Sequence, residues 1–457
     1  MHHDATPPSS TALLTDMYEL TMVEAAMASG AAVRESVFEV FGRRLPAGRR
    51  YAVVAGTARV LDAVENFRFG PDEIDFLHSA SVVGDETLDF LREYRFRGDI
   101  TGYAEGECFF PGSPLLTVRG TFADAVMLET VILSIYNHDC AVAAAASRMT
   151  TAAHGRPCLE MGARRTHEWA AVGAARAAVV GGFVGSSVLE AGRSHGIRTI
   201  GTAAHSFTLL HDSEGDAFAA QVAALGPGTT LLVDTYDVTA GVERAVAAAR
   251  AAGAELGAVR LDSGDLVAQA FVVREQLDRL GAQSTKITVT SDLDEYAIAA
   301  LGAAPVDSYG VGTRLVTGSG HPTAELVYKL VARKGEDGWR EVAKASSSKT
   351  TLGGLKVAGR VLDDSGRAVE ELVVSCVDPA DGERAIADAG ARALQVPLVT
   401  GGVINEDYRG PGSLPAAQQR HLISRAELPH EAWRLSAGEA GIPTRHVDVD
   451  TSDDARG

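Results

Sequence analysis

From residue 198 to residue 314 the sequence repeats one pattern: a short apolar run, a polar tip, then a helix. The runs with their tips are 198-RTIGTAAHSF-207, 229-TTLLVDTYD-237, 256-LGAVRLDSGD-265, 286-KITVTSDLD-294 and 306-VDSYGVGTR-314. Helical patterns follow three of them, over 239–253, 266–281 and 294–302. Short apolar strands alternating with helices imply parallel βαβ units, since parallel strands need a long crossover between them. Every run ends in side chains capable of chemistry: His205, Asp234, Arg260 with Asp262, Ser291 with Asp292, and Gly312-Thr313-Arg314. Polar groups collected at the carboxyl ends of successive parallel strands are the layout of a (β/α) barrel's active face. An open doubly wound sheet is the alternative. The absence of a GxGxxG motif after an early strand counts against it.

The chain has 457 residues, enough for two or three domains. Residues 11–130 mix helices and strands. The run 13-LLTDMYELTMVEAAMASG-30 predicts a helix capped by Thr15 or Asp16 and ended by Gly30. Residues 36–43 and 114–120 read as strands, and 341–366 as strands joined by turns. The expected organisation is an α/β barrel over 131–345 and an α+β domain over 11–130, completed by 346–440. Residues 1–10 and 447–457 are expected to be disordered tails, being polar or acidic.

Charge narrows the partners. Lysine and arginine number 42 against 60 aspartate and glutamate, a net −18. That argues against nucleic acid or an anionic membrane as partner, and any bound anion must be held by a local cluster. The four cysteines show no CxxC spacing, so neither a metal site nor a redox dithiol is indicated. No signal peptide is visible, and the apolar stretch 169–192 reads as a buried helix and turn. A soluble cytoplasmic protein is expected.

Four groups of residues could carry chemistry. His205 stands between small neighbours at the end of a run, either as a core histidine or as a nucleophile. Arg260 and Asp262 are two apart on a strand and therefore share a face. They make either a structural ion pair or a fork for a planar anion. The turn Gly310-Val311-Gly312-Thr313 offers backbone N–H groups to a phosphate, as late barrel loops do. The segment 346-SSSKTTLGG-354, with Lys349, is either a phosphate contact or an exposed loop. Arg164 and Arg165 are either solvated or reach a diphosphate. Tyr18, on the first helix, reads as core by burial habit.

Taken in order, these pieces resemble nicotinate phosphoribosyltransferases. The matching segments are 14-LTDMY-18, 160-EMGARR-165, 181-GGF-183 with Ser186-Ser187, 201-GTAAHS-206, 233-VDTYD-237, 260-RLDSGD-265 and 309-YGVGT-313. The resemblance implies an irregular (β/α) barrel of the type II phosphoribosyltransferases, joined to a second α+β domain. It implies condensation of nicotinate with phosphoribosyl pyrophosphate to nicotinate mononucleotide and pyrophosphate, a step of NAD salvage. It also implies coupling to ATP hydrolysis, with Mg²⁺, through phosphorylation of His205.

The same resemblance assigns roles. Arg260 meets the nicotinate ring and carboxylate. Asp262 stands near the ribose, and Asp234 makes ribose or metal-linked contacts. Arg164 meets the diphosphate or base. Gly312 and Thr313 hold the 5′-phosphate, and Phe183 and Lys349 join the substrate-binding set. Tyr18 stacks on the base from a neighbouring subunit, which implies a homodimer with shared sites. Ser187 stands where nicotinamide-specific relatives carry an aspartate, so nicotinate is favoured. Val188 departs from the asparagine common at that position. The competing readings are a quinolinate-type enzyme without ATP coupling and an idle barrel that only binds ligands.

Overall fold

The computed structural model describes residues 10–343, 352–410 and 412–449. Lys349 and most of both tails lie outside them. The chain forms two compact units, Met1–Ala141 with Thr323–Gly457, and Val142–Pro322. The seams therefore lie at 141/142 and 322/323, not near 130 and 345. The helix Glu129–Ala152 runs through the first seam without a break. Past the second, Leu326–Gly335 pairs antiparallel with Glu35–Gly42 and so belongs to the first unit's sheet.

That unit carries a seven-stranded antiparallel sheet centred on Glu35–Gly42, Leu116–Thr121 and Asp99–Tyr103. A four-stranded sheet is built on Leu355–Leu362 and Ala368–Cys376. Its last strand, Thr444–Asp448, runs parallel to Ala368–Cys376. Residues 447–449 are therefore not a disordered tail, because Val447 and Val449 pack against the apolar cluster of Val37, Val357 and Leu372.

The second unit is a mixed α/β arrangement around a five-stranded parallel sheet. Its order is Cys158–Glu160, Ser308–Val311, Lys286–Val289, Ala258–Leu261, Thr230–Leu232. Parallel bridges extend it from Glu160 to Ser186 and from Ser186 to Thr199. The connecting helices begin where the sequence supplies caps. Asp237, Asp265 and Asp294 accept hydrogen bonds from the first-turn N–H groups of Val238–Ala251, Leu266–Arg279 and Glu295–Ala300. Each such cap stabilises its helix by about 1 kcal/mol.

Two local expectations are corrected. The run 198–207 is not a continuous strand: only Thr199 bridges, and His205 opens the helix His205–Leu210 after extended Ala204. Asp16 takes the cap position of Met17–Ala28, but no side chain caps that helix. Thr15 Oγ1 instead donates to Glu19 and to Met127 O. Among the described residues no helix is long and apolar enough to cross a membrane.

Candidate active site

The polar tips of the second unit meet at one cavity of 670 Å³. Arg164, Ser187, His205, Arg260, Asp262, Gly312 and Thr313 all line it. His205 presents an imidazole that is 40% exposed, which rules out a core histidine. Its Nδ1 lies 3.1 Å from Thr235 Oγ1. Its Nε2 lies 3.9 Å from both Asp234 Oδ1 and Asp262 Oδ2.

The two carboxylates are held differently. Asp234 is buried, and its Oδ2 accepts from the Asp262 N–H and the Ser263 hydroxyl, each at 2.8 Å. Its Oδ1 is buried with no hydrogen-bond partner among the described residues. Asp262 Oδ1 accepts from Arg260 Nη2 at 2.8 Å and from the Thr290 hydroxyl, which leaves Oδ2 for the cavity. Burial works against the charge of Asp262. The Thr290 and Arg260 hydrogen bonds and the Arg260 charge outweigh it and hold the carboxyl below its usual range.

Arg260 is both an ion-pair partner and a cavity residue. Nε donates to Thr290 Oγ1 at 2.8 Å, and Nη1 to Thr202 Oγ1 at 3.1 Å and Ala203 O at 3.4 Å. With the Asp262 bond, four of its five N–H groups are engaged, so it offers an anion one N–H rather than a free fork. The uncommitted cations are Arg164 and Arg165. Both are exposed on the cavity, and neither side chain has a partner among the described residues. They supply the local cluster that the chain's net charge of −18 demands of any anion site.

Glu160 separates the roles of the two serines. It is buried, and its carboxylate accepts from Ser186 Oγ at 2.5 Å and from the Gly162 N–H. Burial pushes its carboxyl up. Ser186 is thereby structural and also accepts from the Val188 N–H at 3.0 Å. Ser187 is left facing the cavity. Gly310 is required for packing: a Cβ there would lie 2.5 Å from Thr290 Cγ2 and 2.7 Å from Met161 Sδ.

Two expected residues are placed elsewhere. Phe183 is completely buried and does not line the cavity. It follows Gly182, whose φ of 102° turns the chain after the helix Glu168–Val180. Tyr18 belongs to the first unit, where it is 46% exposed rather than core. Burial and the charge of Glu129 raise its phenol to about 12.

Beside it, Glu19 is fully buried, and its Oε1 accepts from Thr130 N at 3.0 Å and Thr130 Oγ1 at 2.6 Å. Burial pushes its carboxyl up to about 8 against those hydrogen bonds. A raised folded pKa in an acid means stability falls as pH climbs from the ordinary carboxylate range to about 8. The melting temperature should drop over that window, and Glu19→Gln should flatten the drop. An equal drop in the variant would show that another group causes it.

Three threonines escaped the sequence reading as site members. Thr202, Thr235 and Thr290 position Arg260 and His205 through hydroxyls that pattern reasoning passes over. Arg165, Ser291 and Asp292, already among the side chains the sequence marks as capable of chemistry, also line the cavity. Ser291 has φ 125°, a backbone conformation costly for serine and common at functional sites. That strain has no signature in the sequence.

Exposed arginines, the Asp262 carboxylate and an accessible imidazole line one cavity of a parallel α/β unit, the equipment of an enzyme that handles anionic groups. A family model of the nicotinate phosphoribosyltransferase N-terminal domain matches residues 13–137. The chain is 55% identical over 443 residues to nicotinate phosphoribosyltransferase pncB1 of Mycobacterium tuberculosis, covering 95% of each. It is 32% identical to the human nicotinate phosphoribosyltransferase, covering 80% of each. The chain belongs to the nicotinate phosphoribosyltransferase family. The crystal structure of human nicotinic acid phosphoribosyltransferase superposes with a TM-score of 0.80 at 24% identity, over 96% of this chain and 99% of that one. Nicotinate-nucleotide pyrophosphorylase from Pyrococcus furiosus gives 0.73 at 22%, over 93% and 99%. These two likenesses concern the fold.

Proposed function

We propose that this cavity condenses nicotinate with phosphoribosyl pyrophosphate, giving nicotinate mononucleotide and pyrophosphate. The observation that carries the reading is the convergence of Arg164, Arg165, Asp262 and His205 on one cavity in a chain of this family. The nicotinate ring nitrogen attacks C1′ of the ribose as the bond from C1′ to the pyrophosphate oxygen breaks. Positive charge develops on the ribose. Asp262, kept ionised by Arg260 and Thr290, faces that charge with Oδ2. Arg164 and Arg165 meet the departing diphosphate, and Gly312 and Thr313 the 5′-phosphate. Relatives named for nicotinate, at up to 55% identity, favour this over the quinolinate-type reading.

We infer that His205 is phosphorylated by ATP. The two carboxylates 3.9 Å from Nε2 favour the proton there. That leaves the lone pair on Nδ1, beside Thr235 Oγ1. Nδ1 attacks the γ-phosphorus, the bond to the β-bridging oxygen breaks, and ADP leaves. Water later cleaves the P–N bond and releases phosphate. Mg²⁺ suits the donor set: Asp234 Oδ1, buried and unpartnered, and Asp262 Oδ2 are hard oxygen ligands near one point. Those two residues would hold it, and when bound it would neutralise diphosphate charge.

The sheet order supports an irregular barrel. From Thr199 through Ser186, 158–160, 308–311, 286–289 and 258–261 to 230–232, it is chain order run once round a ring with one join absent. Side chains span that join: His205 to Thr235, and Arg260 to Thr202. A homodimer is supported by Leu13, Leu14, Met17 and Tyr18, all more than 40% exposed on one apolar segment. The free, buried cysteines fit a cytoplasmic enzyme.

The deciding assay measures nicotinate mononucleotide formed from nicotinate, phosphoribosyl pyrophosphate, ATP and Mg²⁺. Nicotinamide should be a far poorer substrate, and comparable use of both would sink the Ser187 argument. Ser187→Asp should raise KM for nicotinate about tenfold or more, because it sets a carboxylate against the substrate's own. An unchanged KM would place the nicotinate carboxylate elsewhere.

A further inference from the structure

A second built cavity, of 430 Å³, lies in the first unit between its seven-stranded and four-stranded sheets, apart from every residue of the proposed reaction. Its floor is two rungs of the antiparallel pair Asp99–Tyr103 and Leu116–Thr121. Asp99 stands opposite Arg119, and Thr101 opposite Thr117. Alternate strand residues share a face, so these four side chains form one polar surface. Facing them are Leu355 and Val357 of the four-stranded sheet and Ile386 of the helix Pro379–Asp388.

The floor holds three groups whose bonding is incomplete. Thr117 is 6% exposed, and its Oγ1 has no hydrogen-bond partner. Such a buried hydroxyl is costly unless something bonds it. The Arg119 guanidinium lies 5.0 Å over the Trp339 ring and has no carboxylate partner among the described residues. Asp99, directly opposite in register, makes no ion pair with it. Asp99 Oδ1 accepts from Gly401 N at 2.8 Å, which leaves Oδ2 unengaged. The other cation on the cavity, Lys356, is committed: Nζ donates to both Glu39 oxygens, at 3.3 and 3.1 Å, and to Gly354 O at 3.2 Å. Glu383 is exposed at the rim.

A carboxylate against Arg119 and Thr117 completes both. An ammonium against Asp99 Oδ2 balances the remaining charge. An apolar body then lies under Leu355, Val357 and Ile386. We propose that this cavity binds a small α-amino acid with an apolar side chain, recognised by its carboxylate, its ammonium and its side chain together. A plain carboxylate fits less well, because Asp99 would repel it.

The test is calorimetric titration of the full chain with L-phenylalanine, 3-phenylpropionate and phenethylamine. The last two each lack one charged head. Phenylalanine should bind once per chain, and each comparison compound at least about tenfold more weakly, as expected for one lost charged hydrogen bond. Arg119→Met should abolish binding. Asp99→Asn, at an exposed position the fold tolerates, should weaken phenylalanine about tenfold and leave 3-phenylpropionate unweakened. No binding of phenylalanine at millimolar concentration overturns the proposal. So does equal binding of 3-phenylpropionate, or phenylalanine binding unchanged by Asp99→Asn. The outcome is independent of the nicotinate assay, so either reading can fail alone.

Discussion

Incubated with γ-labelled ATP and Mg²⁺, the protein should take up acid-labile, base-stable phosphate, and His205→Ala should take up none. His205 fits as the acceptor because the structure leaves it accessible at 40% exposure. Its ring is tethered at one nitrogen by Thr235 and faced by two carboxylates at the other. A phosphoryl group there adds close to two negative charges to the cavity. That charge alters affinity for the anionic substrates and product, and this is how ATP cleavage would drive the condensation. His205→Ala should therefore keep a basal, ATP-independent reaction. Label that persists in the variant would move the acceptor elsewhere. Loss of label together with all basal activity would make His205 part of the glycosyl chemistry itself.

Asp262→Asn should lower kcat by about 10²–10³-fold with little change in KM, the loss expected when charge aimed at a transition state is removed. Asparagine keeps the shape and an oxygen for Arg260 and Thr290, so the ring of hydrogen bonds around Thr202, Arg260 and Thr290 survives. What disappears is the negative charge that those donors keep ionised. A rise in KM with kcat intact would assign Asp262 to ground-state binding. A large fall in melting temperature would assign it to holding Arg260.

The two predictions depend on residues that differ in how far sequence reveals them. His205, Asp234, Arg260 and Asp262 were legible because the strand–helix period puts them at strand ends and all recur in the family's order. Their caps were legible too, since Asp237, Asp265 and Asp294 stand directly before helical periods. The engagement of Arg260 was not legible. Its partners Thr202, Ala203 and Thr290 lie 58, 57 and 30 residues away, and only the tertiary fold brings them together. The direction of Phe183 depends on the backbone turn at Gly182, which a family match cannot convey. The first seam was misplaced because a 24-residue helix carries no break in composition where one unit ends. The second was misplaced because a strand's partner, here Glu35–Gly42, lies almost 300 residues earlier.

The interleaving of the two units has a consequence for biosynthesis. The unit spanning 142–322 is contiguous and complete once the ribosome has passed it. The other begins first and finishes last. Glu35–Gly42 is made early but waits for Leu326–Gly335 to pair along one edge. Ala368–Cys376 waits for Thr444–Asp448. Until then the nascent chain displays an open strand edge, a template for association with other chains. Slow translation would thus endanger the half of the protein made first.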